Sequence, residues 1–196
     1  MLKSTADRYG AIPITIHWLS AILVLVAIGS GFQAGNTIDP TVKAAFLRIH
    51  IPAAIIALLL TLFRIVWWWF FDRKPVPVKG SPLWQERLAR AVHLAFYVVI
   101  LGMIASGIGM IVLSGAGPTI FSGAGGELPN FHQYPPRVPH GLGANLLVVL
   151  LVAHVGAALY HHFIRGDGLL RRSGMGASFD RALSVSRNER RSVDRA

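Results

Sequence analysis

Most of the eight histidines in this chain fall inside apolar segments, where an ionisable ring is a costly guest. Four lie along one run, HGLGANLLVVLLVAHVGAALYHH. His154 follows His140 by fourteen residues and His161 follows His154 by seven, with His162 directly after. At about 100° per residue, those steps return to within about 40° and 20° of their starting direction, so the rings of His140, His154 and His161 share one helix face. His17, His50 and His93 each stand in a different apolar segment, and His132 in a stretch rich in Gly and Pro. Imidazoles lined up on a greasy helix, with single imidazoles on its neighbours, have a specific chemical use. A haem iron takes four equatorial nitrogens from its macrocycle and one neutral imidazole at each axial position.

The segments that must position these rings read as membrane spans. The chain has 196 residues, of which 53% are hydrophobic and 14% charged; soluble domains carry nearer a quarter charged. Its mean hydropathy is +0.52. Four apolar runs, 12–33, 44–71, 83–113 and 140–164, are each long enough to cross about 30 Å of hydrocarbon at about 1.5 Å per residue. Trp67, Trp68 and Trp69 close the second where an aromatic belt belongs, and Pro52 is expected to bend it. The first run follows a basic flank like that of a signal peptide. Its length, and the poor cleavage site at Ala34–Gly35, mark it instead as a retained span.

The net charge of +10 does not indicate nucleic acid, because the basic residues sit between and after the apolar runs and form no basic face. They set orientation. Lys3 and Arg8 precede the first span; Arg73, Lys74, Lys79, Arg87 and Arg90 lie between the second and third; Arg165, Arg171 and Arg172 follow the fourth. The opposite side has Lys43, Arg48 and Arg137. The positive-inside rule then makes the chain an all-α membrane protein, a four-transmembrane-helix bundle with both termini cytoplasmic. The loop 114–139 falls on the outer side, and 173–196 reads as a disordered cytoplasmic tail. No repeat or second domain is visible. The absence of cysteine excludes disulfides, iron–sulfur clusters, zinc–thiolate sites and covalently attached c-type haem.

Depth sorts the histidines into two layers. His50 and His140 lie toward the outer side, and His17, His93, His154 and His161 toward the inner; along the last span His154 is about 21 Å further in than His140, and His161 about 10 Å beyond that. In the inner layer spacing alone allows His17 with His154 or His93 with His161. Taken singly, His93 or His162 is explained by a hydrogen bond to a carbonyl or by a place at an interface, and His132 by a wetted loop. Gly29, Gly31, Gly102, Ala105, Gly107, Gly109, Gly143 and Gly156 would make room for a flat macrocycle or bring helices close. Arg64 is the clear extra charge within a span, on a side chain able to snorkel. The scarcity of carboxylates in the spans argues against a proton-relaying transporter.

The stretches ITIHWLSAILVL, LRIHIPAAI, ARAVHLAFYV, PHGLGANLL and AHVGAALYHHFIRGDGLLRR resemble the bacterial cytochrome b561 family, related to the cytochrome b subunits of nickel hydrogenases. The resemblance covers 8–172 and implies a di-haem cytochrome b transmembrane domain. It implies that His17 and His154 ligate an inner haem b, and His50 and His140 an outer haem b. It further implies a bacterial inner-membrane protein carrying electrons from a periplasmic donor, with superoxide a candidate, to ubiquinone. The alternative is the haem-bearing subunit of a hydrogenase or dehydrogenase complex with a periplasmic redox partner. Lys43, Arg48 and Arg137 lie where they would attract an anion or pair with haem propionates. His93, His161, Arg48 and Arg137 are the candidates for quinone or propionate contacts.

Overall fold

A computed structural model of the chain describes residues 1–76, 82–122 and 127–166. Its long helices are α1 (Ala11–Asn36), α2 (Pro40–Val66), α3 (Leu83–Ser114) and α5 (Arg137–Tyr160), with a short α4 (Gly117–Phe121) between α3 and α5. α2 and α5 each continue into a π-helical turn, Trp67–Phe71 and His161–Arg165. All four continuous helical runs are long and apolar enough to cross a membrane. Among the described residues there is no strand, so the all-α, four-span class expected from the sequence is the class observed.

Most of the span ends lie slightly outside the apolar runs, for local reasons. α2 starts at Pro40 because the Asp39 side chain accepts from the N–H groups of Thr41 (2.8 Å) and Val42 (3.2 Å), an N-cap with proline in the first turn. Hydropathy does not register such a start. Within α2 the helix runs through Pro52.

The helices pair as two antiparallel hairpins, α1 with α2 and α3 with α5, and α2 also touches α3 and α4. Side chains buried in α1 and α2 are mostly small: Ser30 and Ala34 on one, Ala53, Ala57 and Thr61 on the other. Small residues let membrane helices close on each other. The hydroxyls bond to their own helix, Ser30 to the Val26 carbonyl (2.6 Å) and Thr61 to the Ala57 carbonyl (2.7 Å), so neither is stranded in an apolar medium. Large side chains such as Ile22, Leu59, Val98 and Val152 are exposed, as a lipid-facing surface requires.

Two segments are more structured than their composition suggests. Within the Gly- and Pro-rich connection, α4 is followed by a 3-10 turn, Phe131–Gln133. Ile120 of α4 is fully buried, and its carbonyl accepts from Nε of Arg48 on α2. At the other end of the bundle residues 1–10 fold back over the tryptophans. The Ser4 N–H (3.0 Å) and hydroxyl (2.9 Å) donate to the Asp72 carboxylate, Val76 N–H donates to the Ala6 carbonyl (3.0 Å), and Tyr9 meets Trp68 edge-on at 6.1 Å. Slight desolvation pushes the Asp72 pKa up, but hydrogen bonds from Ser4, Arg73 and Trp67 outweigh it and hold the carboxyl below its ordinary value. The expected tail at 173–196, and the stretch 167–172 before it, lie outside the described residues.

Candidate functional site

Each histidine pair joins one hairpin to the other. His17 of α1 and His154 of α5 stand with ring centres 6.3 Å apart and planes at 68°. His50 of α2 and His140 of α5 stand 6.0 Å apart with planes at 74°. Among the described residues no three His, Cys, Asp or Glu side chains gather as a cage for a bare metal ion. An iron bonded on both faces at about 2.0 Å, a usual metal–imidazole length, holds two end-on ring centres about 6.2 Å apart. The two observed separations bracket that value.

The His50–His140 pair is seated by a device used twice. Nδ1 of His50 lies 2.8 Å from the Ala27 carbonyl of α1, the carbonyl that in a regular helix also accepts from the N–H of Gly31. A Cβ at position 31 would lie 2.9 Å from two atoms of the His50 ring, so glycine is what lets the ring reach the carbonyl. On α3 the arrangement repeats. Nδ1 of His140 lies 2.9 Å from the Met103 carbonyl and 3.1 Å from the Ser106 hydroxyl, and a Cβ at Gly107, four residues after Met103, would lie 3.3 Å from the ring. A carbonyl can only accept, so in both rings Nδ1 carries the proton and Nε2 is the bare nitrogen available to a metal. Carbonyl acceptors of this kind orient metal-bound histidines and increase their basicity.

The His17–His154 pair has a different setting. Arg64 of α2 places Nη1 3.3 Å from Nδ1 of His17, and its Nε is buried with no hydrogen-bond partner. The guanidinium therefore turns toward the pair instead of snorkelling away from it. His154 is flanked by His93 (5.7 Å) and Phe96 (5.5 Å) of α3. His93 gives Nδ1 to the Ala89 carbonyl of its own helix at 2.6 Å, a bond that explains its tolerance without assigning it a ligand. Beyond the end of α2, Lys74 lies 5.8 Å from the Trp68 ring. Its pKa is held below the ordinary lysine value, first by burial and then by the Arg64 charge.

These features fit haem. The donor sets are two imidazoles each, at the spacing a six-coordinate iron needs, and one pair has its tautomer fixed for binding through Nε2. Part of the small-residue expectation changes. Space is open around Gly29, Gly102 and Gly156 among the described residues, whereas Gly31 and Gly107 receive the histidine rings, and Gly109 and Gly143 receive Pro136 and Met103.

The other expected residues are more dispersed. Arg48 is engaged with α4 through Nε. Arg137 lies back along its own helix, where a Cβ on Gly141 would be 2.9 Å from its Nη1. His161 packs against Tyr160 (5.9 Å) and His162 against Phe163 (4.7 Å), and the His132 N–H donates to the Asn130 side chain. Sequence reasoning noted Gly31, Gly107 and Arg64 but missed their work beside the ligand rings. A glycine on one span facing a histidine on the next was the available signal.

The chain is 26% identical over 180 residues to cytochrome b561 homolog 1 of Escherichia coli (strain K12), covering 85% of this chain and 96% of that protein. It is 28% identical over 179 residues to cytochrome b561 homolog 2 of the same organism, covering 86% and 92%. It is 29% identical over 172 residues to the probable superoxide oxidase CybB of Yersinia pestis, covering 84% and 94%. A family profile described as prokaryotic cytochrome b561 matches residues 8–173, and with four apolar helices carrying paired histidines, the chain is a multi-pass bacterial membrane protein of that haem b-binding, electron-transfer family.

Proposed function

We propose that the chain is a di-haem b electron conduit of the bacterial inner membrane that oxidises a donor on the outer side and reduces ubiquinone. The observation that carries this reading is the presence of two cross-hairpin histidine pairs at 6.3 and 6.0 Å. His17 and His154 would hold one haem, and His50 and His140 the other. When bound, each haem supplies an iron that accepts and releases one electron. The residues do the rest: the Ala27 and Met103 carbonyls orient two of the ligands, and Arg64 places a fixed positive charge beside a third. With Lys3, Arg8, Arg73 and Lys74 at the tryptophan end, the positive-inside rule puts both termini in the cytoplasm and the His50–His140 pair on the periplasmic side.

Superoxide is the donor favoured by the likeness to a probable superoxide oxidase. Two superoxide anions, one ubiquinone and two protons give two molecules of oxygen and one ubiquinol. Lys43 and Arg137 on the outer side supply positive charge that draws an anion in, and Arg48 adds to it. His93, beside His154, and His161 would be the groups that contact the quinone.

The test is a spectrum of the purified protein, oxidised and reduced. Two non-covalent haems per chain with low-spin bands are expected, and a colourless protein refutes the reading. His154→Ala should remove one haem and leave the other. Stopped-flow mixing with superoxide, with and without ubiquinone, should reduce the haems and then reoxidise them; haems that stay oxidised exclude superoxide as the donor.

A further inference from the structure

We infer that Arg64 makes the His17–His154 haem the more oxidising of the two, so that electrons run downhill from the His50–His140 site toward the tryptophan end. The inference rests on the di-haem reading and deepens it.

The two pairs have opposite electrostatic surroundings. Both rings of the His50–His140 pair give Nδ1 to a backbone carbonyl, at 2.8 and 2.9 Å. An acceptor at Nδ1 pushes electron density through the ring toward Nε2 and stabilises the more positive, ferric iron. Beside His17 stands a guanidinium, 3.3 Å from Nδ1. It can only donate, so once Nε2 of His17 is given to a metal and Nδ1 keeps the proton, the guanidinium faces that N–H as a positive charge and no longer as a hydrogen-bond partner. Its effect on the same ring is the reverse, because a cation disfavours the ferric state and favours the ferrous one.

Among the described residues no carboxylate lies within ion-pair distance of Arg64; the one such pair is Arg90–Glu86 near the start of α3. Nε of Arg64 is buried without a partner, so the charge is poorly solvated and its field is weakly screened. Lys74 adds a second positive charge on the same side. With both sites loaded, one electron would pass from a ferrous centre held by His50 and His140 to a ferric centre held by His17 and His154, the first becoming ferric and the second ferrous. No proton is required. Arg64 is a positioning residue for that electron, acting through His17 and not touching a reactant.

The experiment is optical potentiometry of the full-length protein in detergent, with dithionite and ferricyanide as titrants and haem counted per chain. Arg64→Gln, retaining two haems, should shift the higher one-electron step toward the ferric form by tenfold or more, about 59 mV for a one-electron couple. The lower step should stay put, and Arg64→Lys should restore most of the shift. His154→Ala, lacking the inner haem, should keep only the lower step. Unchanged steps in Arg64→Gln, or a His154→Ala protein whose remaining haem titrates at the higher step, would overturn the inference. If Arg64→Gln fails to hold the inner haem, the His154→Ala result decides. A wild-type protein without haem would overturn the underlying reading instead, which haem counting reports separately.

Discussion

Changing Gly31 to alanine adds a single methyl group at the point where α1 receives the His50 ring. That methyl carbon would lie 2.9 Å from two ring atoms. Carbon contacts are ordinarily about 3.5–4.0 Å, so the ring or the helix must give by about 0.6–1.1 Å. A ring that moves so far loses the hydrogen bond to the Ala27 carbonyl, now 2.8 Å, because it passes the distance at which such bonds cease to count. Overpacking of this kind costs about 1–3 kcal/mol, and the weakened hydrogen bond about 0.5–1.5 kcal/mol. Together they lower affinity for the His50-ligated haem by roughly tenfold to two-thousandfold. The control stands two residues away, where nothing lies within 4 Å of a Cβ on Gly29. Alanine there gains up to about 1 kcal/mol of helix propensity. The assay is haem per chain after detergent purification, with the reduced-minus-oxidised spectrum. Gly31→Ala should fall from two haems toward one, and Gly29→Ala should keep both. Retention of both haems with an unaltered spectrum in Gly31→Ala, or equal damage from the two substitutions, would show that the glycine does not seat the ligand.

Other expectations follow from the same contacts. Ser106→Ala removes a 3.1 Å partner of His140 but leaves the 2.9 Å carbonyl, so haem content should hold and thermal stability should fall by no more than about 1 kcal/mol; loss of a haem would mean that the hydroxyl, not the carbonyl, fixes the ring. Asp72 has a pKa lowered from 3.8 in the folded protein, so its contribution is complete above 3.8 and is lost as pH falls through the lower folded value. In this cysteine-free chain, a spin label on Leu2→Cys should stay immobilised from neutral pH down to that range and become mobile below it. Asp72→Ala should free the label at pH 7, and an immobile label in that variant would show that the fold-back over the tryptophans does not depend on the carboxylate.

Much of the architecture was legible because the bilayer imposes a coarse rule: a span must be apolar for about 20 residues. The histidines stood out for the same reason, as costly groups in apolar runs. Their partners did not. His17 with His154 and His93 with His161 were equivalent by depth, and only the rotation of α1 and α3 about their axes, set by side-chain packing, brings His17 to 6.3 Å from His154 and His93 to its flank at 5.7 Å. The role of Arg64 was hidden because snorkelling and inward turning share one sequence signature. α4 escaped notice because five residues are too short for a periodic signal, and its burial hangs on Ile120 and on a donor seventy-two residues away, Arg48. The Asp39 cap was readable in principle, as an acidic residue before proline at a span boundary.

The division of the ligands between the hairpins bears on how the protein is made. One unit contributes His17 and His50, the other His140 and His154, so neither can grip a macrocycle alone. Cofactor would therefore act as a rivet: two separately inserted halves, weakly held by small side chains and lipid, become locked when two iron centres bridge them. Occupancy and tertiary stability are then one equilibrium, governed by free haem concentration. Cells starved of haem should accumulate a loosened, protease-sensitive apoprotein rather than an intact empty shell.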